Sequence, residues 1–271
     1  MKDSAPSPRR LQYLRDYRRR KRSIRLWQVC LLAGLFALWE LTTRLGLSDG
    51  FLTSSPSRMA GTLQSLWHSG DLWRHIGTSC LETVVGFTAG TLLGTAIAVA
   101  MWWWEKLARV LDPYLVVLNA LPKTALGPIF IVWMGAGMGA IIVMTLAISL
   151  IVTILTMYQG FMTKAPEKLR LMRSLGARRS QMLWLLVFPA NCPTLFNTLK
   201  VNVGLSWVGV IMGEFLVSRA GLGYLIVYGS QVFNMDLVMT SVLILALAAV
   251  VMYQLVLRVE KILNRTWGVQ S

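Results

Sequence analysis

The stretch TALGPIFIVWMGAGMGAIIVMTLAISLIVTILTMYQGFMT, residues 124–163, contains no charged side chain. A helix needs about 20 predominantly apolar residues to cross the hydrocarbon core of a bilayer. Two further charge-free windows, residues 83–104 and 237–257, are each long enough for one crossing. The three windows therefore predict an all-α integral membrane protein.

The composition of the whole chain supports this prediction. The chain has 271 residues, of which 55% are hydrophobic and 14% charged, whereas soluble domains have about 25% charged residues. Lys and Arg number 27 against 12 Asp and Glu, which leaves a net charge of +15. A nucleic-acid-binding protein can be this basic but is rarely this apolar. The composition excludes a water-soluble enzyme and a disordered chain.

Three less uniform segments bring the predicted number of transmembrane helices to six. Residues 26–44, 112–136 and 190–216 are apolar, but each contains an acidic, basic or proline residue. A transmembrane domain is therefore expected over residues 26–265. It would lie between a basic N-terminal tail, residues 1–25, and a short C-terminal tail, residues 266–271.

The excess positive charge predicts the orientation of these helices. Residues 1–25 carry a net charge of +8, the 161–186 loop +5, and the segment after Leu257 +2. The 45–74 and 217–236 loops are neutral. Because Lys and Arg accumulate in cytoplasmic loops, both termini and the 161–186 loop are expected in the cytoplasm. An even number of crossings follows.

The second predicted span has a face of small residues. Glu82, Gly86, Gly90 and Gly94 recur every four residues, so they share one side of a helix. Small residues at this spacing allow two membrane helices to approach closely. The pattern favours helix packing within one subunit, with an interface between subunits as the alternative.

The sequence contains none of the motifs that would indicate catalysis. No lysine follows a glycine, so there is no phosphate-binding loop of the G-x-x-x-x-G-K type. His68 and His75 lack partners at metal-ligand spacing, and no Gly-x-Ser-x-Gly segment occurs. We therefore predict no catalytic residue, metal or cofactor in this chain. Energy for transport would come from an ion gradient or from a partner that hydrolyses ATP.

The 161–186 loop is predicted to form a short amphipathic helix. Pro166 suits its first turn, Glu167 lies near the positive end of its dipole, and Gly176 ends it. The apolar residues share one stripe and the basic residues flank it: Leu169, Met172 and Leu175 against Arg170 and Arg173. Such a helix can lie on anionic lipid or enter the groove of a cytosolic partner.

The same loop resembles the cytoplasmic signature of the permeases of ABC importers. Gly176 and the later Leu186-Val187-Phe188-Pro189 resemble its Gly-x9-Ile-x-Leu-Pro half. Ser174-Leu175-Gly176-Ala177 and Phe188-Pro189-Ala190-Asn191-Cys192-Pro193 resemble its SLGA and LPAxxP segments. Arg170-Leu171-Met172 stands where the signature has Glu-Ala-Ala.

Other segments are similar to the nitrate, sulfonate and taurine branch of these permeases. They are Trp39-Glu40, Leu52–Ser57, Leu121–Pro128, Glu214 and Ala220–Leu225. Their order and spacing extend the resemblance over nearly all of residues 26–265.

The resemblance implies the type I importer permease fold in a bacterial cell membrane. It implies a homodimer that works with two cytosolic ABC ATPase subunits, which bind ATP and Mg, and with an extracytoplasmic solute-binding protein. The helix at about 166–176 would be the coupling helix that docks on each ATPase. The implied ATPase-coupling residues are Glu167, Leu169, Arg170, Met172, Arg173, Leu175, Gly176, Ala177 and Pro189.

Four charged residues, Glu82, Lys123, Lys200 and Glu214, fall within predicted spans. A charged residue that faces lipid at the centre of a helix costs about 2.5–3.5 kcal/mol on insertion scales, so each needs a partner, a cavity or an interface.

Lys123, next to Pro122, either faces an anionic solute or reaches the cytoplasmic surface. For Glu214 we expect a hydrogen-bonding or gating role, and Gly221 and Gly223 are further candidates for the solute path or gate.

The leading interpretation is the permease subunit of an ATP-driven importer for a small anionic solute resembling sulfonate, taurine or nitrate. The same machinery could import a vitamin precursor or another organic solute. A stand-alone ion-gradient carrier would predict an inverted repeat between the two halves of the chain, and none is evident. A membrane-bound enzyme is the weakest alternative because catalytic motifs are missing.

Overall fold

A computed structural model describes residues 8–47, 49–164 and 166–266 of the chain. The predicted tails therefore lie partly outside the described residues. The helices are α1 Pro8–Arg44, α2 Gly50–Thr53, α3 Pro56–Ser69, α4 Asp71–Trp103, α5 Glu105–Ala120, α6 Gly127–Met134, α7 Met138–Thr163, α8 Pro166–Ser174, α9 Arg179–Met182, α10 Phe188–Val217, α11 Leu222–Gln231 and α12 Met235–Thr266. The chain forms two compact units, Met1–Thr62 and Leu63–Ser271.

Five of the described helical segments are long and apolar enough to cross a membrane. They are Arg19–Arg44, Asp71–Trp103, Met138–Thr163, Arg179–Val217 and Met235–Leu263. Each contains or overlaps a segment predicted from the sequence to span the membrane. The basic residues from Pro8 onward belong to α1, so the described part of the N-terminal tail is helical and continuous with the first span.

The core of the second unit is a bundle of α4, α7 and α10. Thr145, Ser149 and Thr153 of α7 lie in sequence order beside Gly86, Gly90 and Gly94 of α4, so these two helices run parallel. α10 runs antiparallel to both, because Gly209 lies beside Thr145 and the later Gly213 lies beside the earlier Ile141.

This parallel arrangement determines the course of the segment between α4 and α7. α4 ends at one end of the bundle and α7 begins at the other, so residues 104–137 must return across it. Two short helices, α5 and α6, make this return together with a 3-10 turn at Lys123–Leu126. The sequence predicted one span at 112–136. The continuous helix is missing because Pro122 has no N–H to donate, and Leu121 before it is extended at φ −67° and ψ 139°.

The helix that contains Pro189 also differs from expectation. The sequence predicted a span over residues 190–216, which would begin after Pro189. Instead α9, a π-helical turn at Leu183–Val187 and α10 form one helix from Arg179 to Val217. The Phe188 N–H bonds to the Leu183 carbonyl, five residues earlier. This wider turn accommodates the proline ring without breaking the helix.

Lys200, one of the four charged residues within predicted spans, and Glu40, which lies in the first predicted span, each bond to a neighbour of opposite charge. Lys200 Nζ of α10 lies 2.8 Å from Glu260 Oε2 of α12, and about a fifth of each side chain is exposed. In the first unit, Glu40 accepts hydrogen bonds from Arg44 Nε at 2.7 Å, Ser57 N at 3.1 Å and Ser57 Oγ at 2.9 Å. Glu40 therefore caps the first turn of α3.

Candidate functional site

The predicted amphipathic helix in the 161–186 loop is present as α8, which covers Pro166–Ser174. Gly176 follows it with a left-handed φ of +78°. The Gly176 N–H donates to the Arg173 carbonyl at 3.0 Å, and the Ala177 N–H donates to the Met172 carbonyl at 2.9 Å. This pair of bonds is a Schellman cap, in which glycine is favoured because it lacks a Cβ. Gly176 therefore fixes the end of α8.

The apolar residues of α8 divide between two faces. Leu169 packs against a buried cluster that includes Ala98, Met157 and Phe161. Leu171 and Leu175 are 60% and 76% exposed. The sequence predicted one stripe of Leu169, Met172 and Leu175, but in the structure Leu169 and Met172 are half-buried while Leu175 points outward. Glu167, Arg170 and Arg173 are exposed, and Ala177 is half-buried.

Both ends of the loop are bound to the bundle. Lys164 Nζ donates to Thr194 Oγ1 at 2.6 Å and to the Ala190 carbonyl at 3.4 Å. Arg179 Nη1 donates to the Trp103 carbonyl at 2.5 Å. Residues before α8 therefore contact α10, and residues after it contact the end of α4. A force on α8 would reach the bundle through these contacts and through Leu169.

The predicted coupling residue Pro189 lies beyond this loop, in the first turn of α10. It directly follows the π-helical turn and is half-buried. Trp184 and Leu185 of that turn are 65% and 71% exposed.

A second group of candidate residues meets at the opposite end of the bundle, in the turn between α10 and α11. Three successive backbone N–H groups each donate to a side chain. Gly221 N bonds to His75 Nδ1 at 2.9 Å, Leu222 N to Ser79 Oγ at 2.7 Å, and Gly223 N to Glu214 Oε2 at 2.5 Å. We call His75, Ser79, Glu82, Glu214 and residues 221–223 the turn cluster.

The two glycines of the turn cluster are required by the Glu214 carboxylate. A Cβ on Gly221 would overlap Glu214 Oε1 and lie 2.6 Å from Oε2, and φ at Gly221 is +119°. A Cβ on Gly223 would lie 2.7 Å from Glu214 Oε2. Glu214 is 2% exposed. The three residues predicted for a gate therefore form one closely packed unit.

Lys123 and Pro122 do not belong to this unit. Lys123 lies in the 3-10 turn after Pro122, and its Nζ bonds to the carbonyl and the side-chain Oδ1 of Asn119, both at 3.2 Å. Before Lys123 in the chain, Leu115 packs with Ile154 of α7. After Lys123, Gly127 lies close to Met144 of α7, where a Cβ on Gly127 would be 3.4 Å from the Met144 Sδ. Lys123 is therefore near the middle of the bundle, on a half-exposed surface.

Sequence reasoning missed His75 and Ser79 as partners of the 221–223 turn. The signal was present, because His75, Ser79 and Glu82 extend the face of Gly86, Gly90 and Gly94 toward the start of α4, and all six are buried. The sequence pattern does not show that this face of α4 contacts the 221–223 turn on the other side of the bundle. Within the described ranges, no group of three His, Cys, Asp or Glu side chains could hold a metal ion.

Comparison with known proteins identifies the family. Residues 90–269 match the family described as the binding-protein-dependent transport system inner membrane component. This match covers more than half of the chain. The chain belongs to this permease family. The permease is thus a multi-pass bacterial membrane protein of the ABC-importer type, as the sequence resemblance implied.

Two relatives illustrate the range of this family. The permease is 24% identical to the taurine transport system permease protein TauC of Escherichia coli, over 80% of this chain and 81% of that one. It is 26% identical to the riboflavin transport system permease protein RibX of Chloroflexus aurantiacus, over 85% of this chain and 86% of that one.

A solved structure has the same fold. The permease aligns with a chain of the MetNI methionine ABC transporter in an inward-facing conformation, with a TM-score of 0.60 and 18% sequence identity. The alignment covers 76% of the permease and 98% of that chain. The predicted all-α importer permease fold is thereby confirmed.

Proposed function

We propose that this permease forms the solute pathway of an ABC importer and couples it to cytosolic ATPase subunits through α8. The proposal is supported by the two faces of α8, one exposed and one attached to the bundle. Its outer face presents Leu171 and Leu175, whereas Leu169 and the bonds of Lys164 and Arg179 connect it to the bundle. An apolar helical face is suited to the groove of a partner protein.

In this proposal, movement of the ATPase subunits displaces α8 and thereby the ends of α4 and α10. The basic residues around α8 support a cytoplasmic position for this end of the bundle. The turn cluster, at the other end, would then face the extracytoplasmic side and receive solute from a binding protein. The basic residues at the start of α1 would face anionic lipid headgroups.

The permease itself acts as a translocation subunit rather than an enzyme. The sequence has no phosphate-binding loop, so ATP and Mg would be bound by the partner ATPase. Membership of the permease family disfavours the stand-alone carrier considered from the sequence.

The close packing of the bundle supports a homodimer. A Cβ on Gly86 or Gly94 would lie 2.7 Å from the Cβ of Thr145 or Thr153. No solute can pass between helices in such close contact, so the path must run along an outer face, where a second copy would complete it. The α5 and α6 region, which carries Lys123, has such a face, with Val132 81% and Trp133 75% exposed.

For the solute, we propose a small anion of the sulfonate, taurine or nitrate class, with Lys123 as a cationic contact in the path. Relatives of similar identity are named for taurine and for riboflavin. An organic, vitamin-related solute is therefore the second candidate. Lys123 favours the anion because its ammonium group meets no carboxylate among the residues that the structure describes.

The coupling proposal can be tested with the Gly176→Trp variant and a matched control. Gly46 ends α1 in the same way as Gly176 ends α8, with a φ of +67° and free space around the Cβ position. Gly46→Trp therefore imposes a similar backbone strain away from α8. Co-expressed ATPase subunits should be lost from the purified Gly176→Trp complex and retained with Gly46→Trp. Equal recovery and equal ATP hydrolysis in both complexes would overturn the coupling role.

A further inference from the structure

The turn cluster contains two acidic side chains in contact. Glu82 is 1% and Glu214 2% exposed. Ser79, three residues before Glu82 on the same buried face of α4, donates to Glu214 Oε1 at 2.5 Å, which brings the two carboxyl groups together. A hydrogen bond between two carboxyl groups needs a proton on one of them, because an ionised carboxylate only accepts. In the described part of the chain, no Lys or Arg forms an ion pair with either acid. Two buried negative charges in contact would repel each other without compensation.

The surroundings of Glu214 suit the ionised form. Its carboxylate accepts bonds from Ser79 Oγ at 2.5 Å, from Gly223 N at 2.5 Å and from the Tyr224 N–H. The two N–H groups belong to the first turn of α11, where the helix dipole favours a negative charge. Hydrogen bonds of this kind to a charged acceptor are stronger than those between neutral groups.

The surroundings of Glu82 suit the neutral form. Its Oε2 is buried and has no hydrogen-bond partner among the described residues. Its neighbours along the same face of α4 are Ser79, which is committed to Glu214 and Leu222, and Gly86, which has no side chain. A charge left unpaired in such a position costs far more than a neutral acid.

We propose that Glu82 and Glu214 form a proton-binding acid pair in which Glu82 carries the proton and Glu214 carries the charge that holds the 221–223 turn. Loss of this proton would place a second negative charge against Glu214. Glu214 would then move away from Gly223 and Tyr224, and the turn would lose its attachment to α10. The acid pair therefore makes the position of this turn depend on pH. This inference concerns the chain itself and does not rest on the proposed import function.

The other ionisable groups near the acid pair either lie further from it or would loosen the 221–223 turn in acid instead of in alkali. On α4, Cys80 lies two residues before Glu82, and His75 bonds to the turn, with Asp71 and Arg74 close to His75 in sequence. His75 accepts the Gly221 N–H through Nδ1, so protonation of that nitrogen would break this bond in acid rather than in alkali.

The remaining helices place few ionisable side chains near the pair. α11 contributes Tyr224, which stacks on His75 with ring centroids 5.8 Å apart. Tyr158 is the sole ionisable side chain of α7, and it packs with the Met157 and Phe161 cluster at the far end of the bundle. α12 reaches this region at Ile244, two turns or more from Asp236 and Tyr253.

Infrared spectroscopy of the purified permease in lipid nanodiscs tests where the proton resides. The spectrum near neutral pH should contain the C=O stretching band of a protonated carboxylic acid. That band should lose intensity in Glu82→Gln and in Glu82→Met, so that either variant suffices if the other does not fold. Glu167→Gln, which removes an exposed acid of α8, should leave it unchanged. A band of full intensity in a folded Glu82 variant would overturn the proposal.

The pH dependence of thermal unfolding tests the consequence for the turn. A carboxyl group that is protonated in the folded state and ionised in the unfolded state lowers stability as pH rises. The melting temperature of the wild-type protein should therefore fall by several degrees between neutral and alkaline pH, and that of Glu82→Gln should fall less. Parallel curves for the two proteins would overturn the pH-dependent attachment of the turn.

Discussion

The contact between α4 and α7 at Gly86 allows a quantitative prediction for Gly86→Ala. The new Cβ would lie 2.7 Å from both Cβ and Cγ2 of Thr145, whereas carbon atoms in good contact are about 3.5–4.0 Å apart. Thr145 has no room to move away, because Gly209 of α10 packs closely against its other side. A Cβ on Gly209 would lie 3.0 Å from the Thr145 Cα. The helices must therefore separate by about 1 Å.

Gly77→Ala is the matched control. Gly77 lies on the same helix, and a Cβ there would meet no atom within 4 Å. Both variants gain the same helix propensity, so the difference between them measures the overpacking alone, which typically costs about 1–3 kcal/mol. For a domain of this size each kcal/mol changes the melting temperature by about 2–4 °C.

Thermal unfolding in detergent micelles, followed by circular dichroism, measures this difference. We expect Gly86→Ala to melt about 2–12 °C below Gly77→Ala. Melting temperatures within one degree of each other would show that α4 and α7 are not in the close contact described.

Two further predictions concern the intramembrane lysines. Lys123→Ala should reduce solute-stimulated ATP hydrolysis by the reconstituted importer at least tenfold, while Lys106→Ala on α5 should not; equal activity would exclude Lys123 from the solute path. Glu260→Ala should destabilise the protein by about 1–3 kcal/mol because it leaves the partly buried Lys200 without its carboxylate partner. The double variant Lys200→Met/Glu260→Met should recover most of this loss in thermal unfolding, and additive losses would contradict a coupled pair.

The membrane spans could largely be predicted from the sequence because a bilayer imposes one simple requirement, a long apolar helix. The prediction was weakest where proline residues interrupt the pattern. At Pro122 the helix breaks, and at Pro189 a π-helical turn keeps it continuous. Both outcomes depend on hydrogen bonds of neighbouring residues, which the apolar pattern does not encode.

The candidate sites were predictable to different degrees. The α8 loop depends on contacts between residues that are close in sequence. Its helix and the end of that helix at Gly176 could therefore be predicted from the positions of proline, glycine and charged residues. The turn cluster is not local, because His75 and Gly221 are separated by 146 residues in sequence. Glu82 and Glu214 were predicted as acidic residues within membrane spans, and Gly221 and Gly223 as candidates for the solute path or gate. Their association depends on the antiparallel packing of α4 and α10, which the sequence pattern does not specify.

Site-specific photo-crosslinking can detect the proposed docking of α8 on an ATPase subunit. A photoreactive phenylalanine would replace Leu175, which is 76% exposed beside α8, or Val132, which is 81% exposed on α6. The importer would be co-expressed with its ATPase subunit and irradiated in membranes. We predict an adduct with the ATPase from position 175 and none from position 132. A folded protein that gives no ATPase adduct from position 175, or equal adducts from both positions, would show that α8 is not the docking helix.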